Sequence, residues 1–156
     1  MTTSENISLA WREWADLSAA QLYDLLQFRQ AIFVVEQASP YPDLDGRDGE
    51  ARHLTLRRDG GLIGYLRLIA PSAEETPPRV RIGRVSVAPD ARGSGYARLM
   101  MNEGLRQAIV LYPDKDIEIG AQTHLEAFYR SLGFTPSSSP YDDFGVPHID
   151  LVLRRG

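Results

Sequence analysis

IGRVSVAPDARGSGYARLM, residues 82–100, carries an apolar strand into a glycine-containing turn and then into a long helix. A helix N-terminus exposes unpaired N–H groups and a partial positive charge, so it can hold a phosphate. Gly93 and Gly95 let backbone amides approach an anion without a Cβ in the way. Arg92 and Arg98 add positive charge to the turn.

Several phosphate and catalytic patterns fail against this turn. A P-loop requires a Gly-Lys pair, which the chain lacks. A dinucleotide fingerprint requires G-x-G-x-x-G/A, and Arg98 stands at the sixth place after Gly93. A nucleophile elbow requires glycine two residues before Ser94, where Arg92 stands. The acidic loop would put Tyr41 and Arg52 at the first and last ligand positions of an EF-hand. His53, His124 and His148 have no metal-ligand spacing, so no metal is expected.

Elements read outward from this stretch. Ile7, Leu9 and Trp11 alternate as a first strand. Ser18 and Gln21 form a capping box that opens a helix through Leu22, Leu25, Leu26, Ile32 and Phe33. His53–Arg57 and residues 62–70 predict a hairpin turning at Asp59-Gly60-Gly61. Residues 80–87 form the next strand, after an exposed loop at 71–78. The helix that follows ends at Pro113. A short strand spans 116–120, and a second capping box, Thr123 with Glu126, predicts a helix stopped at Gly133. Ile149, Leu151 and Leu153 alternate in a last strand. The order β-α-β-β-β-α-β-α-β implies an α/β mixed sheet with flanking helices.

The 156 residues suffice for one domain, 1–156, with its own core. At 43% hydrophobic and 24% charged residues the composition is that of a globular protein rather than a disordered one. No apolar run reaches the roughly 20 residues that span a bilayer, so no membrane partner is expected. The opening MTTSENISLAW has no basic region followed by an apolar one, so no secretory signal is expected and the chain reads as cytoplasmic. With no cysteine, disulfides and thiolate chemistry are excluded. The net charge of −4 argues against nucleic acid as a partner. Between Arg79 and Arg98, however, five arginines face one acid, Asp90, which suits a small anionic ligand.

What the turn does match is R-x-x-G-x-A, at Arg92, Gly95 and Ala97. With GAQTHLEAFYRSLGF (120–134) downstream and the element order above, the chain resembles the GNAT superfamily of N-acetyltransferases. FVVEQASPYPDLDG (33–46) and GVPHI (145–149) resemble its ElaA-type branch. The resemblance implies the GNAT fold, a central mostly antiparallel sheet with acyl-CoA in a splay between strands four and five. It implies transfer of an acetyl group from acetyl-CoA to a primary amine of a small molecule or peptide. A non-catalytic acyl-CoA sensor with the same fold is the alternative.

By the same resemblance, backbone amides of Arg92, Gly93, Ser94, Gly95, Tyr96 and Ala97 would hold the pyrophosphate. Val85 and Val87 would pair with the pantetheine arm, and an amide there would polarise the thioester carbonyl. Tyr129 would protonate the departing thiolate. Glu36 is the leading candidate for general base, ahead of Glu118 and of His53 and His124. The segment DLDGRDGE (43–50) reads either as an exposed turn or as an acidic lip that attracts a cationic amine. Both a monomer and a homodimer remain open.

Overall fold

Alternation along the strands sorts side chains onto two faces, and here the two faces have opposite chemistry. The computed structural model describes residues 6–155; Met1–Ser4 and Glu5, part of the stretch read for a secretory signal, and Gly156 lie outside the described residues. The strands are β1 (Ile7–Glu13), β2 (Ala51–Arg58), β3 (Gly61–Ile69), β4 (Val80–Val87), β5 (Ile117–Gln122), β6 (Thr135–Pro136), β7 (Tyr141–Asp143) and β8 (Val146–Leu153). The helices are α1 (Ala19–Gln30), α2 (Tyr96–Leu111) and α3 (Glu126–Ser131). The sheet order is β1-β2-β3-β4-β5-β8-β6, with β7 paired to β8. Every pairing is antiparallel except β4 with β5, which α2 joins as a crossover. This is the mixed, mostly antiparallel sheet with flanking helices that the element order implies.

One face is apolar. α2 lies across β2, β3 and β4. Leu54, Leu56, Leu66, Leu68, Val80 and Ile82 meet Met100, Met101 and Ala108 there, all within one buried cluster. A fully buried aliphatic side chain stabilises by about 1.5–3 kcal/mol, so this face supplies the cohesion.

The opposite face buries charge. His53 stands opposite Arg67 and Thr55 opposite Tyr65 in the β2–β3 ladder. α1 crosses this face and lays the guanidinium of Arg29 over the Tyr65 ring at 5.5 Å. Arg29 is fully buried. Its Nε donates to Asp43 Oδ2 at 3.0 Å, its Nη1 to Asp48 Oδ1 at 2.6 Å and its Nη2 to the Asp43 carbonyl at 2.9 Å. Arg67 Nη1 donates to Asp48 at 3.0 Å and to Asp45 at 2.9 Å, and its Nη2 also meets Asp45. Beneath them His53 Nε2 meets the Asp48 carbonyl at 2.9 Å, and its Nδ1 meets the Tyr65 hydroxyl. The acidic loop is therefore an exposed turn with two of its carboxylates directed inward, while Leu44, Asp45, Gly46, Gly49 and Glu50 stay exposed. Asp43 and Asp48 are buried, and their charges are spent on arginines inside the molecule.

Of the two expected capping boxes, one forms and one does not. The Ser18–Gln21 capping box forms as predicted, with both reciprocal bonds present. α1 continues past Gln30 into a π-helical turn, Ala31–Glu36, where Ser39 N–H reaches back to Val34 O. Thr123 does not cap α3. β5 stays paired with β8 as far as Gln122, so Thr123 is the first residue off the sheet and enters a tight 3₁₀ turn. The N-cap of α3 is Leu125, with no side-chain bond.

Removing one partner of a buried ion pair leaves the others uncompensated, at about 3–5 kcal/mol. Arg29→Met, which keeps the volume, is expected to lower the unfolding free energy by that amount in urea titration. Burial also holds the pKa of His53 below its ordinary value. The unfolded chain then takes up that proton first, so stability falls as pH drops below about 6.5. Against the cost of burial, the hydrogen bonds from Arg67 and Arg29 hold Asp45 and Asp48 below the ordinary carboxylate range. Their contribution is complete above about pH 4 and is lost as pH falls further. A plot of melting temperature against pH should show both losses, and His53→Gln should remove the upper one alone.

Candidate active site

β4 and β5 run together for only three pairs, Val80 with Ile117, Arg81 with Glu118 and Ile82 with Ile119. Beyond Ile82 they separate. The cause lies in β4, where Arg84 and Val85 together stand opposite Leu66 of β3, a bulge in the ladder. Arg84 takes φ 55°, a left-handed conformation that costs a non-glycine residue. The charged face holds it there. Arg84 Nε lies 2.9 Å from Asp43 Oδ1, Nη2 lies 3.3 Å from Asp45 Oδ2, and the guanidinium stacks over Tyr41 at 4.9 Å.

The splay opens a cavity of about 370 Å³. Ile82–Val85 and Gly120–Gln122 form its walls, and Tyr129 closes one part. The π-helical turn and the following loop contribute Phe33, Gln37 and Tyr41, while Tyr141, Asp143 and His148 come from β7 and β8. The loop is tied to the β7–β8 turn by Ser39 Oγ, which donates to the Phe144 carbonyl at 2.8 Å, and by the edge-on contact of Tyr41 with Phe144.

Val87 lies at the open edge. It stands opposite Gly64, and Ala88 N–H donates to the Ile63 carbonyl at 2.8 Å. In an antiparallel ladder that register turns the N–H and C=O of Val87 away from β3, toward the splay. Val85, half-buried in the bulge, lines the cavity itself.

Past β4 a 3₁₀ turn, Pro89–Ala91, leads to Arg92 and the glycine turn. Gly93 has φ 83° and Gly95 φ 82°, so the left-handed region that favours glycine is used twice. Gly95 is the N-cap of α2 and offers no side chain to its first N–H groups. No atom lies within 4 Å of where a Cβ would stand at either glycine, so the space beside the turn is open there. Ser94 is exposed, and Tyr96 and Ala97 are half-buried as α2 begins. Arg92 is engaged. Its Nε donates to the Val87 carbonyl at 3.0 Å, and its two terminal nitrogens hold Glu36 at 2.6 and 2.8 Å. Arg98 bonds Ser131 at 2.8 Å and stacks on Phe128, linking α2 to α3.

α3 ends in a Schellman motif. Phe134 N–H donates to Tyr129 O at 3.2 Å and Gly133 N–H to Arg130 O at 3.0 Å, with Gly133 at φ 102°. The Tyr129 and Phe134 rings meet edge-on at 6.1 Å, the apolar contact that accompanies the motif. Tyr129 is 4% exposed, and burial pushes its pKa upward. The helix stop thus fixes the ring in the wall of the cavity.

The base candidates fare differently. Glu36 does not line the cavity. The hydrogen bond from Arg92 lowers its pKa, which weakens it as a base and runs against the role expected of it. Glu118 lines the cavity but is pinned by Arg79 at 3.0 Å and Arg81 at 2.9 Å. His53 is sealed under the charged network, and His124 is exposed on the 3₁₀ turn before α3. His148, whose strand was read from its apolar alternation alone, does line the cavity. Among the described residues no cluster of three or more His, Asp or Glu could hold a metal, and no helix is long and apolar enough to cross a membrane.

These features agree with comparisons to known proteins. The model of the acetyltransferase (GNAT) domain matches residues 18–155. Protein ElaA of Escherichia coli is 41% identical over 147 residues, covering 90% of this chain and 95% of that protein. Its crystal structure superposes with a TM-score of 0.88 at 38% identity, over 96% of this chain and 100% of the other. A structure described as an acyl-CoA N-acyltransferase from Pseudomonas aeruginosa gives a TM-score of 0.87 at 39% identity, over 94% and 99% of the two chains. The glycine turn, the β4–β5 splay and the near full-length likeness lead to one conclusion: the chain belongs to the GNAT family of acetyltransferases, close to the ElaA-type proteins.

Proposed function

We propose that this protein moves an acetyl group from acetyl-CoA to a primary amine of a small molecule or peptide by direct transfer. Tyr129, whose buried ring lines the β4–β5 splay, carries the reading. The thioester supplies the activated acyl group. The amides of Arg92 to Ala97 hold its pyrophosphate at the N-terminus of α2. Val87 and Val85 align the pantetheine arm as an added strand, and an amide of the bulge polarises the thioester carbonyl. The amine nitrogen bonds to the carbonyl carbon as the carbon–sulfur bond breaks. Tyr129 gives its phenolic proton to the departing sulfur. Burial of its ring supports that role, because a hydroxyl that resists ionising stays loaded as an acid.

The fit of an acyl-CoA rests on the open space at Gly93 and Gly95 and on the N–H of Val87, which faces away from β3. Arg92 is not idle in this arrangement. A pyrophosphate held by the turn competes with Glu36 for its guanidinium, so Glu36 acts on donor binding.

Thermal-shift titration with acetyl-CoA, desulfo-CoA, ATP and NADH tests the donor. At 100 times Kd a ligand stabilises by about 2.7 kcal/mol, a rise of roughly 5–10 °C for a domain this size. Both CoA species should give that rise, and ATP and NADH none; no rise with either CoA compound removes the donor assignment. Binding of both without transfer to any amine would turn the reading to an acyl-CoA sensor. Tyr129→Phe should lower kcat by about 100-fold with acetyl-CoA affinity unchanged, the size expected for loss of a general acid. Glu36→Gln should tighten acetyl-CoA binding by about two- to five-fold, the worth of an exposed ion pair, and keep the acidic limb of the pH–rate profile. Loss of that limb would restore Glu36 as the base.

A further inference from the structure

His148 stands on β8 opposite Gln122, the last residue of β5, and its side chain is largely buried in the wall of the cavity that Tyr129 also lines. Its Nδ1 lies 2.8 Å from the Val146 carbonyl oxygen. A carbonyl only accepts, so Nδ1 must carry the hydrogen. The neutral ring then keeps its lone pair on Nε2. That atom lies 3.9 Å from Asp143 Oδ2, too far for a hydrogen bond but close enough to stabilise an imidazolium. The ring is clamped from one side by Tyr141, stacked at 6.2 Å, whose hydroxyl donates to Asp150 Oδ1 at 2.6 Å. Other candidate bases lack one of these features, since Glu36 lies outside the cavity, Glu118 is pinned by two arginines and His53 is sealed.

We infer that His148 is the general base, with Asp143 as the group that stabilises its charged form. The inference rests on the acyl-transfer reading above and gives it a direction. As the amine nitrogen bonds to the thioester carbonyl carbon, Nε2 takes the proton that nitrogen loses. The sulfur receives a different proton, from Tyr129, so the two transfers balance. Imidazole suits the step because its ordinary pKa lies near neutrality. The charged and titratable groups that share the cavity with it are Asp143 and Tyr141 on β7, Asp150 on β8, Glu118 on β5, Arg81 and Arg84 on β4, Arg67 on β3, Tyr41 and Arg47 on the loop before β2, and Tyr129 on α3. Asp143 is the carboxylate that reaches its ring. The amine accordingly enters from the side where the β7–β8 turn meets the loop of Ser39 and Tyr41.

The test uses the full chain and His148→Asn, which keeps a donor toward the Val146 carbonyl and removes the basic nitrogen. Desulfo-CoA should raise the melting temperature of both proteins equally, showing an intact donor site. CoA release with a panel of primary alkylamines is then followed from pH 5.5 to 9. The wild type should show an acidic limb in kcat/KM. The variant should lose about 100-fold or more at neutral pH, lose the limb, and recover in part when imidazole is added. A variant that keeps the limb overturns the inference. Nitrogen-15 spectra of the imidazole rings, assigned by the same variant, read the tautomer without any acceptor. The hydrogen on Nδ1 is expected; a hydrogen on Nε2 overturns the inference whatever the kinetics give. Failure of the acyl-transfer reading looks different: no stabilisation by either CoA species, or no transfer by the wild type, with the tautomer still measurable.

Discussion

The buried guanidinium of Arg29 is the constraint on which the rest depends. It reaches from α1 into the loop that follows the π-helical turn and gathers Asp43 and Asp48 beneath it. Those carboxylates and Asp45 take up Arg67 from β3 and Arg84 from β4. Arg84 is thereby held in a backbone conformation it would otherwise leave, and the bulge it makes turns β4 away from β5. The cavity exists because the strands part. A charge on α1 is thus tied, through the loop carboxylates, to the place where β4 and β5 part.

The division of labour between the two faces of the sheet follows from the same physics. Apolar burial under α2 is non-directional and tolerant of small shifts, so it supplies stability without fixing a register. Ion pairs in a buried site add little net stability against apolar residues of the same shape. They do demand particular distances and angles, and so they suit the face where β4 must be bent at one residue and no other. The glycine turn sits at the end of the apolar face, where α2 begins. The cavity draws part of its wall from the charged face, through Arg67 and Arg84.

Much of the fold was legible because it rests on local signals. The Ser18–Gln21 box, the Asp59–Gly60 turn and the alternation of β2, β3 and β4 each depend on a few neighbouring residues. The glycine turn before α2 was legible for the same reason. What stayed hidden depends on partners distant in sequence. The acidic loop reads as surface because nothing local says that Arg29, Arg67 and Arg84 converge on it. The β7–β8 turn has the same positive-φ geometry as Asp59–Gly60, but with Phe144 at φ 51° it carries no turn residue at its first place, and β7 went unread with it. Thr123 and Glu126 had the right spacing for a cap, and the pairing of Gln122 with His148 overrode it. Tyr129 was singled out by resemblance, and the fold brings it to the cavity wall. His148 was passed over because a lone histidine on a strand shows nothing until Asp143 and the cavity are beside it.

Three residue pairs join β4 to β5, and past them each strand belongs to a different half of the sheet. β5 answers to β8, and β4 answers to β3. The molecule is in this sense bound like a book, with its spine at Ile82 and Ile119 and its pages opening toward the cavity. The gap between the pages begins where the pairing of Ile82 with Ile119 ends, so whatever changes that pairing bears on the whole cavity. Diversity in what such a protein accepts can therefore arise from residues that no substrate ever touches.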